Sequence, residues 1–302
     1  MQTTAHSDVG QIRGLLLKHV RDTFIDDTRI DRQWRQLNYY GRPDLGRAIA
    51  EYDLFVGLLT DLGAEVTFLP QEESVTMDSL YPRDAAIPTD KGVILCNMGK
   101  AERRTEPAAI AAMLRKVGVP IAGAISGDGR IEGGDVTWLD RKTLVVGRGY
   151  RTNAEGIRQL RVLLGDGVEL LVVPLPHWRG PADVFHLMSM ISPAAEDLTV
   201  VYSPLLPVPF REYLLGRGIG LVEVPDEEFE SMGCNVLAVA PRICLLRSGN
   251  PRTRQRLEAA GVHVHEFAGD EICGRGAGGP TCLTGRQCAT YSDVFQYTTI
   301  PT

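Results

Sequence analysis

No run of lysines or arginines interrupts the 302-residue sequence, and its formal net charge is -6. Without a concentrated positive surface, neither nucleic acid nor an anionic membrane is an expected partner. No apolar stretch approaches the ~18 residues that a membrane-spanning helix requires. The first residues also lack the basic start, apolar run and small-residue cleavage site of a secretory signal, so the cytoplasm is the expected location. Six cysteines, at positions 96, 234, 244, 273, 282 and 288, form no C-x-x-C pair. Neither a zinc knuckle nor a disulfide framework is suggested, and all six are expected as free thiols. No G-x-G-x-x-G sits between a strand-like run and the helix after it, which argues against a dinucleotide-binding α/β domain. No cofactor and no metal are expected.

The composition is that of a globular protein, 44% hydrophobic and 23% charged, and the acidic balance favours a small cationic substrate. Strand-like runs alternate with helical segments near Leu45–Leu62, Pro107–Val117, Asn153–Leu164, Pro209–Arg217 and Arg252–Ala260. The starts of these five segments lie roughly 45 to 60 residues apart, which suggests a repeated unit of a few strands and one helix. Asn250 and Pro251 read as the cap and first turn of the last helix. Before residue 36, apolar Ile12, Leu15, Leu16, Val20 and Phe24 predict an amphipathic helix over Val9–Phe24. Residues 1–35 are therefore expected as a helical extension, and 36–302 as a single α/β domain.

Near the end of the chain, Cys282 follows Gly274, Gly276, Gly278 and Gly279. Glycine permits positive φ and close backbone approach, so this segment is expected to present a thiol to a ligand. A cysteine nucleophile needs an acid or base and a group that orients it. His186 interrupts an apolar run, Glu132 precedes two glycines ahead of a strand, and Asp84 follows a Pro-Arg pair. His177, among prolines beside Trp178, reads as a loop residue; His263 and His265, two apart on a strand, read as a solvated edge and not a metal pair.

In chain order the segments D-S-L-Y-P-R-D (78–84), R-R-T-E (103–106), I-E-G-G-D (131–135), R-T-N-A-E-G (151–156), F-H-L (185–187), N-P-R-T-R (250–254) and G-G-P-T-C-L-T (278–284) resemble the guanidino-group modifying superfamily. That superfamily includes dimethylarginine dimethylaminohydrolase, arginine deiminase and the glycine amidinotransferases, and the first of these is the branch the sequence looks most like. The resemblance implies a five-bladed α/β propeller, or pentein, of ββαβ units with pseudo-fivefold symmetry. Position by position, it implies Cys282 as nucleophile, His186 as general acid and base, and Glu132 as the carboxylate beside it. Asp84, with Asp78 as a weaker candidate, would grip the guanidinium, while Arg103 and Arg151 would hold the amino-acid end.

A planar cation suits a bidentate carboxylate, and an α-carboxylate suits an arginine fork. Met188 stands where the deiminases and amidinotransferases carry an aspartate, which leaves room for an N-substituent. Conversely, the Pro82-Arg83-Asp84 form looks more like those two branches. The implied activity is hydrolysis of a free, N-substituted arginine to citrulline and an amine. Alternatives are arginine deimination, amidino transfer to an amine, and a catalytically silent guanidino-binding protein. The expected partner is the guanidino substrate, and association as a homodimer is left open.

Overall fold

The computed structural model describes residues 4–183 and 185–286; Cys288 lies outside them. Five three-stranded sheets carry the fold. Four follow the same route along the chain. Two strands form an antiparallel hairpin, a helix crosses over, and a third strand returns parallel to the second. The first has strands Ala86–Thr89, Gly92–Leu95 and Ile121–Ala124 with helix Glu106–Lys116. The second has Val136–Asp140, Thr143–Arg148 and Glu169–Pro174 with helix Ala154–Leu164. The third has Ile191–Ala195, Leu198–Val201 and Gly220–Glu223 with helix Val208–Gly216, and the fourth Leu237–Ala240, Ile243–Arg247 and His263–Phe267 with helix Pro251–Ala259.

A two-residue loop closes each of the four hairpins, whereas the parallel return needs a crossover, which the helix supplies. The fifth sheet is assembled from both ends of the described chain. Gly285–Arg286 pairs antiparallel with Gly14–Leu17, which pairs parallel with Glu65–Phe68 after helix Leu45–Asp61. Turns and inner strands of neighbouring sheets pack on one another around the ring. The architecture is therefore the five-bladed α/β propeller of ββαβ units that the five spaced helices and the motif order led us to expect.

The helix expected over Val9–Phe24 is not there. Gly14–Leu17 is the middle strand of the fifth sheet, and only Val20–Thr23 is helical. Leu15 and Leu17 enter one core cluster with Tyr52 and Phe55, while Leu16 enters another. A strand buried on both faces carries apolar residues at every position, and that run also satisfies a helical spacing.

Nor do the first residues form an appended element. Asp8 is buried and accepts Arg83 Nη2 at 3.1 Å, Thr137 Oγ1 at 2.9 Å and the Trp138 amide at 2.8 Å. Burial alone would raise its pKa, but the Arg83 and Arg286 guanidiniums with the Trp138 and Thr137 donors hold it below the ordinary carboxylate range. Arg83, whose presence sets the Pro-Arg-Asp form apart, thus serves this internal ion cluster. The Ile12 amide donates to Val239 O, so the segment stitches together several sheets.

A second expectation also fails locally. Asn250 makes no side-chain cap; it donates to Ser231 O and Arg247 O. The amides of Arg252 and Thr253 are instead accepted by the two oxygens of buried Glu228, each at 2.8 Å. A carboxylate from outside the helix satisfies its first-turn donors.

Candidate active site

In four sheets the first strand in the chain lies innermost, and in the fifth the last, Gly285–Arg286, does so. The residues just before that strand approach the centre of the ring. The tight turn Pro82–Ala85 carries Asp84; Glu132 opens the turn Gly133–Asp135; His186 opens the turn Leu187–Ser189. Asn235 lies just ahead of Leu237–Ala240 and Cys282 just ahead of Gly285–Arg286. Each blade contributes one polar side chain, so residues nearly 200 positions apart converge because the ring closes. A cavity of about 110 Å³ is lined by Asp84, His186, Asn235 and Cys282, and further by Asp78, Lys100, Arg103 and Met188. Phe185, Phe229 and Met232 form its apolar side, and Tyr40, Trp178, Arg179, Asp183 and Glu230 also line it.

His186 Nε2 lies 2.7 Å from Glu132 Oε2, and Nδ1 lies 3.9 Å from Asp84 Oδ1. Burial disfavours a charged imidazole, yet Asp84, Asp135 and Glu132 outweigh it and raise the pKa to about 9. His186 is therefore cationic at neutral pH. Glu132 is wholly buried, and although burial opposes ionisation, His186 and Arg151 hold its pKa well below the ordinary range. Its other oxygen accepts the Lys100 amide at 2.9 Å. Gly134 is obligatory here, since a Cβ would come within 2.7 Å of Asp84 Oδ1 and collide with the His186 ring. Asp84 Oδ2 is held by Arg103, but Asp84 Oδ1 is buried without any hydrogen-bond partner. A carboxylate oxygen left so is costly unless a ligand supplies the missing donor.

Among the described residues Cys282 is the one cysteine that is not fully buried; Cys96, Cys234, Cys244 and Cys273 are sealed in the core. Burial and the nearby Asp84 push its thiol up to about 11. The glycines before it serve a purpose different from the one expected. None of Gly274, Gly276, Gly278 and Gly279 has positive φ, whereas Ala277 does, at 58°. They are needed for close packing: a Cβ at Gly276 or Gly278 would strike Tyr81, and one at Gly279 would strike the Asn235 carboxamide. The segment is wedged in place.

The two arginines expected at the amino-acid end are placed differently. Arg151 does not line the cavity; Nη1 lies 3.2 Å from Glu132 Oε2. Its charge stabilises that carboxylate in place of an incoming one. Arg103 does line the cavity, but four of its five N–H groups already engage Glu106, Tyr81 O and Asp84. Asp78 is paired with Lys100 at 2.6 Å. His177 accepts no role here: it faces Tyr150 at 2.7 Å outside the cavity lining. His263 and His265 are adjacent rings with centroids 4.5 Å apart.

The residue that sequence reasoning missed is Asn235. Asn235 stands two residues ahead of its strand, as Asp84 does, a correspondence that shows only once the strands are placed.

The model of the eukaryotic N,N dimethylarginine dimethylhydrolase family matches residues 27–286, most of the chain. The chain belongs to that family. Its relatives include the N(G),N(G)-dimethylarginine dimethylaminohydrolase of Pseudomonas aeruginosa, 26% identical over 249 residues, 82% of this chain and 91% of the relative. The enzyme of the same name from Streptomyces coelicolor is 27% identical over 251 residues, 80% and 87% of the two chains. A solved structure of the Pseudomonas aeruginosa dimethylargininase, a mutant complexed with citrulline, superposes with a TM-score of 0.74 at 22% identity, covering 91% of this chain and 99% of that one. This dimethylarginine dimethylhydrolase family member is accordingly an enzyme, a hydrolase acting on guanidino groups. No helix among its described residues is long and apolar enough to cross a membrane.

Proposed function

We propose that the enzyme hydrolyses a C–N bond in the guanidino group of a free, N-substituted arginine such as a methylated one. It would release citrulline and an amine through a covalent intermediate on Cys282. The observation that carries this reading is the unpartnered buried oxygen of Asp84, set in the same cavity wall as His186 and Cys282. A guanidinium gives that oxygen its donor, and the bound cation makes the neighbouring thiolate less costly.

Cys282 then loses its proton to solvent and sulfur bonds to the guanidino carbon. His186, charged in the resting site, donates its Nδ1 proton to the departing nitrogen; the C–N bond breaks and a thiouronium remains on sulfur. Water adds to that carbon, its protons passing to the now neutral His186 and to the departing sulfur, and citrulline leaves. Glu132, braced by Arg151 and the Lys100 amide, keeps the imidazole basic enough for both transfers.

Met188, buried beside Phe185 and Met232, offers an apolar wall to an N-substituent where a second carboxylate would favour plain arginine. The amino-acid end carries both charges, and the ion pairs Lys100–Asp78 and Arg179–Glu230 on the cavity wall offer both in return. The test is incubation with arginine, monomethylarginine and asymmetric dimethylarginine, with and without amine acceptors, followed by mass spectrometry. Citrulline formed from a methylated substrate is expected; ornithine appearing only when an acceptor is present would overturn the reading in favour of amidino transfer.

A further inference from the structure

Asn235 is buried in the cavity wall with its carboxamide fixed from one side. Oδ1 accepts the Thr281 amide at 3.1 Å and the Thr281 hydroxyl at 2.9 Å. Two donors converge on that atom, so it must be the oxygen, and the amide cannot be flipped. The –NH₂ group therefore faces the other way, where Nδ2 lies 3.8 Å from Cys282 Sγ. The Thr281 hydroxyl is also near the sulfur, at 3.9 Å, while it donates to Asn235. The carboxamide N–H is thus the side-chain amide donor facing the sulfur, beside the Gly279 backbone and the Thr281 hydroxyl that also favour its charged form. The Gly279 backbone passes so close to the carboxamide that no side chain fits between them.

Four of the five turns that open a blade bring the cavity or its histidine an acid, a base, a nucleophile or a carboxylate. The fourth blade brings this amide. We propose that Asn235 is a catalytic residue of this enzyme, its Nδ2–H donating to the Cys282 sulfur as the thiolate forms and again when the C–S bond of the intermediate breaks. The inference rests on the reading of Cys282 as nucleophile. No further reactant is required: the thiol proton leaves to solvent, and the amide changes only the strength of its hydrogen bond. His186 is directed elsewhere: its Nε2 meets Glu132 at 2.7 Å and its Nδ1 faces Asp84 Oδ1 at 3.9 Å.

The test is the pH dependence of iodoacetamide alkylation in wild type, Asn235→Ala and Asn235→Asp, with the labelled cysteine located by peptide mass spectrometry and kcat/KM measured alongside. A hydrogen bond to a charged group gives an expected fall of about 10- to 100-fold in both rates at neutral pH for Asn235→Ala. Asn235→Asp separates chemistry from bracing. It keeps the oxygen that Thr281 needs, removes the N–H and adds a negative charge, so alkylation should be at least as slow and its midpoint higher. A residue that merely braces Thr281 would tolerate Asp, so wild-type rates and midpoint in that variant overturn the proposal. If neither variant folds, the wild-type Asn235 side-chain amide resonances decide, because they should shift with the Cys282 titration and a flat response refutes the contact. Labelling that avoids Cys282 in wild type would instead refute the nucleophile itself.

Discussion

Replacing Glu132 by glutamine changes one oxygen into an NH₂ group, and the surroundings dictate which one. The Lys100 amide donates to Oε1 at 2.9 Å, so the glutamine oxygen is kept there and its NH₂ group takes the position 2.7 Å from His186 Nε2. A donor then faces the imidazole nitrogen, which can accept only as a neutral ring. The interval between about 9 and the ordinary 6.5 corresponds to ~3 kcal/mol of preference for the cation. Asp84 and Asp135 keep their part of it, while the part from Glu132 should vanish and a donor facing Nε2 opposes the cation further. At pH 7.5 the cationic fraction would therefore fall, slowing protonation of the leaving amine by up to about tenfold.

The assay is kcat against pH from 6 to 10, with the His186 ring followed by NMR. The basic limb near 9 should move toward neutrality. Stability supplies an independent readout. A histidine whose pKa is raised in the folded state contributes fully below about 6.5, and that contribution is lost as pH climbs through about 9. The wild-type melting temperature should therefore decline across that window, and the variant's should decline less. Removing the carboxylate also leaves Arg151 buried without its partner, at a cost of ~3–5 kcal/mol. Should the single variant not fold, Glu132→Gln combined with Arg151→Met removes that orphaned charge. A folded variant whose imidazole still titrates near 9 would refute the reasoning.

Four shorter tests follow from the same geometry. Cys282→Ser should abolish turnover while the protein still binds guanidinium substrates, and intact-mass measurement of wild type during turnover should show an adduct at Cys282, never at buried Cys273. Gly278→Ala should lower stability by ~1–3 kcal/mol through its clash with Tyr81, whereas Gly57→Ala, with open space around it, should not; thermal melting compares them. Asp8→Ala strips the half-buried Arg83 and Arg286 of their carboxylate and should cost ~3 kcal/mol in chemical denaturation, with the alkylation rate of Cys282 in the folded fraction little changed. Met188→Asp should raise activity on unsubstituted arginine relative to dimethylarginine, read as the ratio of kcat/KM values.

The spacing of five amphipathic helices and of the runs around them was enough to infer the repeating unit, because a helix packed on one face of a sheet needs a 3.6-residue apolar period wherever it stands. The residue types at 84, 132, 186 and 282 were legible because a polar group within an apolar or glycine-rich stretch demands a reason. Three things were not legible. Leu15 to Leu17 could satisfy a helix or a doubly buried strand equally well, and only the partners at 65–68 and 285–286 decided between them. Arg151 looked like a binder of an incoming carboxylate, but the fold had Glu132 within its reach and kept it out of the cavity lining. Asn235 carries no charge and sits in no unusual composition; it acquires meaning only because ring closure brings the fourth blade to within 3.8 Å of a sulfur 47 residues further along. Local pattern determines what each segment can form and which side chains are chemically capable, while long-range pairing decides which of them meet and which are already neutralised by a neighbour.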